Sequence, residues 1–323
     1  MRRRVLLAAL AALVSFASQA QAQSWPSRPV KIIAPFAAGG AADTLGRIIA
    51  EQLTTAFHQQ FFIENRGGAG GMVGAAAAVA AEPDGYTLVV AGIASTVVAP
   101  AFSGNAGYDG LADFTHIAYL GGPPVVMVVH PSLGVTTYKD FLALVRTRKE
   151  PLTYISPGTG TNGFLVGEYL AREEGYKVSH IPYKGAGPAL TDLVAGHVKL
   201  GTITFSSAAE QIRAGKVLAL AVSTENRIAN FPDIPTFRDV GRDLVAATWF
   251  ALSGPAHLPN EIVQQVSRET LKAMQLPEVQ KRLAVDGIET RLMSPEDVTK
   301  FIAAETARWA PLAKSLAASN PQR

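Results

Sequence analysis

Five segments of this chain lead from a short apolar run into a helical pattern through a loop rich in glycine, serine and threonine. The loops span residues 36–43, 91–96, 156–163, 183–187 and 205–207. A helix N-terminus carries unpaired N–H groups and a partial positive charge, and glycine lets a ligand approach the backbone closely. These loops therefore favour binding of a small anion, above all a carboxylate, through backbone amides and hydroxyls. Each loop taken alone is equally explained as a tight strand-to-helix connection.

One loop also matches the dinucleotide-binding pattern G-x-G-x-x-G, with glycines at Gly158, Gly160 and Gly163. It lies between a predicted strand and a predicted helix, as that pattern requires. A dinucleotide site also needs an acidic residue about 20 positions further on, where Ser179 and His180 stand. The loop is therefore better explained as a carboxylate cradle, and no cofactor is predicted.

Three kinds of side chain near these loops have both a functional and a structural interpretation. Asp43 could meet a ligand ammonium or a bound water, but a carboxylate that caps the following helix explains it as well. Lys184 could attract an anion or be an ordinary surface lysine. A cleft could be lined by three aromatic side chains, those of Phe36, Phe205 and Trp249. Aromatic side chains more often pack in cores.

Sequence signals for catalysis and for metal binding are poor. The sequence contains no G-x-S-x-G, S-x-x-K or H-E-x-x-H motif. Its six histidines are scattered without a pair at metal-ligand spacing, and it has no cysteine. We therefore predict no catalytic residue, no metal site and no enzymatic activity.

The first 22 residues have the pattern of a cleavable export signal. Three arginines open the chain, an apolar run follows from Val5 to about Val14, and Ala20-Gln21-Ala22 gives the small-x-small cleavage pattern. The apolar run is shorter than the roughly 20 residues that cross a bilayer. Cleavage after Ala22 and a periplasmic location are therefore expected, with an uncleaved anchor as the alternative. Export also argues against a dinucleotide site, because NAD is not normally available outside the cytoplasm.

Removal of this segment would change the charge balance. The chain has 29 Lys+Arg and 26 Asp+Glu, and three of the basic residues but no acidic residue lie in the first 22 positions. The remainder carries 26 of each, so neither nucleic acid nor an anionic membrane surface is an expected partner. A monomer without a membrane anchor is expected.

The remaining chain alternates β-rich runs with helical patterns, which predicts an α/β fold with parallel βαβ units. Strands are predicted at 30–35, 61–64, 86–91, 125–130, 153–156, 178–182, 200–204, 217–223 and 247–253. Helices are predicted at 43–57, 72–81, 138–149, 164–174, 188–195, 208–214, 260–274, 277–285 and 295–317. About 300 residues exceed what one core usually serves. We predict one lobe from residues 24–124 plus 250–323 and a second from 125–249, with two chain crossings that form a hinge.

Several sequence motifs, in their order and spacing, resemble the Bug (TctC-like) family of periplasmic solute-binding receptors of tripartite tricarboxylate transporters. They are Trp-Pro-Ser-Arg-Pro-Val at 25–30, Pro-Phe-Ala-Ala-Gly-Gly-Ala-Ala-Asp at 35–43, Glu-Asn-Arg-Gly-Gly-Ala-Gly-Gly at 64–71, Pro-Asp-Gly-Tyr-Thr-Leu at 83–88, Pro-Tyr-Lys-Gly at 182–185 and Pro-Asp-Ile-Pro-Thr at 232–236. The resemblance covers nearly all of the chain after the export signal.

The resemblance implies a two-lobe periplasmic-binding-protein fold of type II-like architecture, with two Rossmann-like lobes joined by two crossover strands. It implies a small carboxylate as ligand and membrane transporter subunits or a sensor protein as partners. Two loops of the family grip a carboxylate, and they match Phe36, Ala38, Gly39, Gly40, Gly158, Thr159, Gly160, Thr161 and Asn162. Weaker candidates are Asp43, Ser95, Thr96, Lys184, Gly185, Phe205 and Ser206.

The chain departs from the family pattern at three positions. Ala38 stands where proline often precedes the two glycines, and Leu218 stands where arginine is common. Phe164 replaces a frequent histidine beside the second loop, which suggests a more apolar pocket suited to an aromatic carboxylate.

Two other classes of function remain open at this point. An exported enzyme on the same scaffold would turn over a bound carboxylate, and an envelope structural protein would lack an interlobe cleft.

Overall fold

The computed structural model describes residues 25–285 and 287–319, so the predicted export signal lies outside the described residues. Within this part of the chain ten strands form two five-stranded sheets. The strands are β1 Val30–Ala34, β2 Phe61–Asn65, β3 Thr87–Gly92, β4 Phe114–Gly121, β5 Val125–Val129, β6 Leu152–Ser156, β7 Val178–Pro182, β8 Leu200–Thr204, β9 Leu218–Val222 and β10 Phe250–Pro255. The first sheet has the order β2-β1-β3-β10-β4 and the second the order β7-β6-β8-β5-β9.

Helices cover both sheets. They are α1 Ala41–Phe57, α2 Met72–Val79, α3 Ala99–Ser103, α4 Tyr138–Thr147, α5 Asn162–Glu174, α6 Ala186–Val194, α7 Phe205–Arg213, α8 Asn260–Gln275, α9 Pro277–Val285 and α10 Pro295–Ser319. A π-helical turn, Ala94–Val98, precedes α3. None of the helices in the described ranges is long and apolar enough to span a membrane.

Both sheets are mixed, whereas the sequence predicted parallel βαβ units. Strand β10 is antiparallel to β3 and β4, and β5 is antiparallel to β8 and β9. Each of these strands follows a crossing between the sheets, so it enters its sheet without a βαβ connection that would impose a parallel direction.

The sequence analysis missed strand β4. Seven of its eight residues are buried, and only Thr115 is partly exposed. A run buried on both faces lacks the polar–apolar alternation that identifies a half-buried strand, so periodicity could not identify it. The strand prediction at 247–253 was also displaced, because residues before Phe250 belong to the crossing.

The two chain crossings lie side by side. Thr248 N–H donates to the Pro123 carbonyl at 3.1 Å, and Pro124 and Ala247 form an antiparallel bridge. A Cβ on Gly122 would lie 1.5 Å from the Thr248 carbonyl oxygen, so only glycine permits this spacing. The crossings therefore form one paired ribbon between the two sheets.

Helix α10 connects the C-terminal part of the chain to both sheets. Trp309 packs against the core of the second sheet and against a cluster that includes β4 and α5 residues. Ser294 caps the start of this helix, because its hydroxyl accepts from the Asp297 amide and also donates to the Asp297 carboxylate. In α8, Pro259 is the N-cap and Asn260 the first helical residue, as the predicted start of the helix at residue 260 requires.

The buried side chain of His116 in β4 should make the stability of the first lobe depend on pH. Its Nδ1 lies 2.9 Å from Ser253 Oγ, and burial lowers the pKa of the imidazole to about 4. Between pH 6.5 and 4 the unfolded chain therefore binds a proton that the folded chain does not. We expect the free energy of unfolding to fall as pH is lowered through this range, by about 3 kcal/mol for this residue.

Urea unfolding at pH 7 and pH 4.5 checks this expectation. The His116→Leu variant should lose part of the pH dependence, whichever way its stability at pH 7 changes. An unchanged pH dependence in this variant would contradict the assignment.

Candidate functional site

A small, partly open cavity of about 40 Å³ lies between the two sheets and is lined by residues from both lobes and from the crossings. Its lining is Phe36, Gly40, Ala41, Ala42, Ala94, Pro157, Thr161, Asn162, Gly163, Ala186, Thr204, Thr248 and Phe250. Among these described residues none carries a charged side chain. The polar groups that these residues can offer are therefore backbone amides and carbonyls, hydroxyls and one carboxamide.

Four helices begin at this cavity. Lining residues belong to the first turns of α1, α5 and α6, and Thr204 is the N-cap of α7. Gly40, Gly185 and Thr204 provide no side-chain cap to the helices that follow them. Because first-turn amides lack partners within their helix and lie at the positive end of its dipole, the four ends together create a positive potential without a cation.

The α1 end is held by Asp43, which does not line the cavity. Its carboxylate accepts from the Gly39 amide at 3.1 Å, from Arg47 Nε at 3.1 Å and from Asn65 Nδ2 at 3.0 Å. Burial raises the pKa of this carboxyl, but the bonds from Arg47, Asn65 and Gly39 outweigh burial and lower it. Asp43 thus fixes the loop before α1 as an ionised structural group inside the first helical turn, although α1 has no side-chain cap at Gly40.

The α5 end is built by Thr161 and Asn162. Thr161 Oγ1 donates to the Gly158 carbonyl at 2.8 Å and caps the helix by accepting from the Phe164 amide at 3.3 Å. Asn162 Nδ2 donates to the Ala247 carbonyl at 3.0 Å. This carboxamide therefore ties the helix start to one of the crossings.

His180 stabilises the same loop through its contact with Ser156. His180 Nε2 lies 2.7 Å from Ser156 Oγ, and that hydroxyl lies 3.2 Å from both the amide and the carbonyl of Gly158. Burial lowers the pKa of His180 to about 4, so the ring is neutral at pH 7. These contacts give His180 a structural role beneath the loop.

Phe164 does not line the cavity. Its ring is buried, with edge contact to Phe102 at 5.2 Å between centroids and a tilted contact to His180 at 4.9 Å. Phe164 therefore joins the lobes outside the cavity, and the suggestion that it makes the pocket apolar finds no contact to support it.

The predicted site residues other than Asp43 fall into four groups. Phe36, Gly40, Thr161 and Asn162 line the cavity. Ser95 and Thr96 turn their hydroxyls to the Gly92 carbonyl, and Phe205 is buried in the second lobe's core. Ser206 is the second residue of α7, and its buried hydroxyl has no hydrogen-bond partner. The rest lie where the loops of the two lobes touch: Ala38, Gly39, Gly158, Thr159, Gly160, Lys184 and Gly185.

That contact is made largely by glycine backbone. We call Gly67, Gly70, Gly158, Gly160, Gly185 and Gly187 the glycine seam. The Ala37 amide donates to the Lys184 carbonyl across it at 2.8 Å, while the Lys184 side chain is exposed. The loops predicted as ligand cradles therefore also hold the lobes together.

Several lining residues were missed by the sequence analysis. Ala41, Ala42, Gly163, Ala186 and Thr204 adjoin or lie within the predicted loops, so a rule that includes the first helical turn would have found them. Thr248 and Phe250 lie at the chain crossing, and no local pattern links that segment to the glycine-rich loops.

Comparison with known proteins identifies relatives of this structure. A sequence model of the family described as "Tripartite tricarboxylate transporter family receptor" matches residues 45–317. The solved structure "R. palustris Rpa4515 with adipate" has a TM-score of 0.86 and 31% identity, covering 90% of this chain and 97% of that chain.

Two further solved structures are similar over the same extent. "MatC (Rpa3494) from Rhodopseudomonas palustris with bound malate" has a TM-score of 0.85 and 28% identity, covering 90% of this chain and 100% of that chain. "Structure of periplasmic binding protein BugD" has a TM-score of 0.84 and 28% identity, covering 90% of this chain and 98% of that chain. The two-lobe periplasmic-binding-protein fold and the Bug-like family resemblance are confirmed.

Proposed function

Since this chain belongs to the receptor family of the tripartite tricarboxylate transporters, we propose that it captures a small carboxylate between its two lobes by hinge closure. The observation that carries this proposal is the convergence of four helix N-termini on one cavity between the lobes. Adipate and malate in two related structures support a carboxylate as the ligand class.

The charge distribution supports recognition without a salt bridge. Each helix end stabilises a nearby anion by about 0.3–1 kcal/mol, and more when partly buried. The carboxylate of Asp43 already accepts hydrogen bonds from Arg47, Asn65 and Gly39. It is therefore not available to pair with a ligand ammonium. We therefore propose a ligand whose carboxylate is its main polar group, in preference to an α-amino acid.

The paired crossings provide the hinge. They join the lobes through the Thr248–Pro123 hydrogen bond and the Pro124–Ala247 bridge, while Asn162 links the crossing to a helix that begins at the cavity. A ligand bound to both lobes would favour the closed arrangement, because only there do all four helix ends reach it.

Receptors of this family work with membrane transport subunits. We propose that this chain delivers its ligand to such a subunit or to a sensor protein, as a monomer in the periplasm after cleavage at Ala22. We also propose that it is not an enzyme. Turnover of a bound carboxylate by the purified protein would reverse that proposal in favour of an enzyme on the same scaffold.

A thermal-shift panel on residues 23–323 tests the receptor function. It should contain malate, adipate, aspartate, citrate, benzoate and linear monocarboxylates, with the matching amide of each monocarboxylate as a neutral control. A ligand at about 100 times its dissociation constant adds about 2.7 kcal/mol to the stability of the native state. We expect at least one carboxylate to raise the melting temperature and its amide to have no effect. A flat response from folded, ligand-free protein, or an equal response to the amide, would overturn the proposal.

A further inference from the structure

The glycine seam brings the two lobes to backbone contact at several separate points. A Cβ built on Gly187, in α6, would lie 2.3 Å from the Ala38 carbonyl oxygen of the other lobe. A Cβ on Gly160 would lie 2.6 Å from Ala99 Cα, and one on Gly67 would lie 2.6 Å from the Lys184 carbonyl oxygen. Distances under 3.0 Å are essentially never seen for real Cβ atoms, so a methyl group at these positions requires the lobes to move apart.

The nearest neighbours of a Cβ at Gly187 lie in the opposite lobe. The three nearest atoms to its Cβ belong to Ala38 and Gly39. Alanine is moreover favoured over glycine within helices by about 1 kcal/mol. Alanine at position 187 would therefore stabilise α6 itself better than glycine does.

The closest approach of the lobes sets the size of the space between them. The partly open cavity between the lobes measures about 40 Å³. At about 10–15 Å³ for each water-sized group, it holds about three or four such groups. A longer ligand needs a wider separation, and that separation breaks the Ala37–Lys184 hydrogen bond and the seam contacts.

We propose that the glycine seam determines ligand size: it allows full closure only on a compact carboxylate, and its residues act as specificity determinants without touching the ligand. This inference rests on the proposed receptor function for its ligand class, while the steric closure itself does not depend on any ligand. A single methyl group on the seam should weaken closure on short ligands and shift the preference toward longer ones.

Closure can be followed without a ligand by a cross-lobe disulfide. A Cβ on Gly40 would lie 4.0 Å from Ala186 Cβ, within the range of about 3.5–4.5 Å for disulfides. The chain contains no cysteine, so Gly40→Cys with Ala186→Cys yields one possible intramolecular bond. We expect this double variant to cross-link under mild oxidation, and addition of Gly187→Ala to slow cross-linking at least tenfold. Thr191→Ala, an exposed change in the same helix, should leave the rate unchanged.

A second matched pair controls for backbone strain. Gly160 and Gly175 both have positive φ values, of 81° and 69°. A Cβ on Gly175 meets no atom within 4 Å, whereas one on Gly160 meets the opposite lobe. Gly160→Ala should therefore slow cross-linking and Gly175→Ala should not, although both carry the strain of alanine in this region.

Calorimetric titration of the cysteine-free proteins then measures how affinity depends on the length of the ligand. The probes are acetate, propionate, butyrate and hexanoate. We expect affinity to fall from the shorter to the longer acids in the unmodified protein. Gly187→Ala should lose at least tenfold in affinity for acetate and propionate, with a smaller loss for hexanoate.

The outcomes separate the two proposals. Equal cross-linking rates with and without Gly187→Ala, or no cross-linking of the parent pair, would overturn the seam as a closure determinant. Slower cross-linking with an unchanged order of affinities would overturn its role in ligand size. If no carboxylate in the wider panel binds, the receptor proposal fails and the size claim fails with it, whatever the cross-linking shows.

Discussion

The Ala41→Asp variant should lose carboxylate binding by about three orders of magnitude while the protein stays folded. Ala41 is the first residue of α1, is 4% exposed, and lines the cavity. An aspartate there places a negative charge where the ligand carboxylate is proposed to bind. Two unit charges 4 Å apart repel by about 4 kcal/mol at an effective dielectric constant of 20, and each 1.4 kcal/mol is a factor of ten in affinity.

The fold should tolerate this change, because an acidic side chain near a helix N-terminus interacts favourably with the dipole. The four converging helix ends should also lower the pKa of the new carboxyl and keep it ionised. It then replaces the ligand carboxylate, so we expect a melting temperature equal to or above that of the unmodified protein and no further rise with ligand.

Calorimetric titration with the strongest carboxylate from the panel measures the effect. Asn260→Asp is the matched control, since it places the same charge at the first residue of α8, which is exposed and distant from the cavity. This control should bind like the unmodified protein. Unreduced affinity in folded Ala41→Asp would show that the carboxylate does not bind at these helix ends.

The second large effect is expected at Glu305 of α10. Its Oε2 accepts from Trp249 Nε1 at 2.9 Å and from Trp309 Nε1 at 3.1 Å. Trp249 lies in the crossing and is 1% exposed, so its N–H has no access to water. Glu305→Leu leaves that buried donor unpaired and weakens the partner of the half-buried Trp309.

An unsatisfied buried donor costs about 1–3 kcal/mol. With a smaller loss at Trp309, we expect Glu305→Leu to lower the free energy of unfolding by about 2–4 kcal/mol. Glu305→Gln keeps an oxygen that accepts a hydrogen bond and should lose less than half as much. Urea unfolding followed by circular dichroism compares the three proteins.

The same substitution should change the environment of the crossing. We expect the indole fluorescence of folded Glu305→Leu to differ from that of the unmodified protein, because the Trp249 hydrogen bond is lost. A loss of stability below about 0.5 kcal/mol, together with an unchanged emission spectrum, would refute the role of Glu305 as the shared acceptor.

The sequence by itself determined the components of the site. Glycine-rich loops that enter helices predicted where backbone amides would be unpaired, and Phe36, Gly40, Thr161 and Asn162 were named from that pattern and from the family resemblance. Such positions can be predicted from sequence because helix starts, turns and capping depend on residues a few positions apart. The two-lobe fold was predicted in the same way, from alternating elements and family motifs.

Only the tertiary structure decided how those components meet. Thr248 and Phe250 reach the cavity from a crossing far along the chain, and the antiparallel entry of β5 and β10 follows from how that crossing is arranged. The contact of Gly187 with Ala38 likewise joins two loops from different lobes. Such contacts depend on the docking of one lobe on the other, which local periodicity does not encode. The tertiary structure alone therefore divided the predicted loop residues between the cavity lining and the glycine seam.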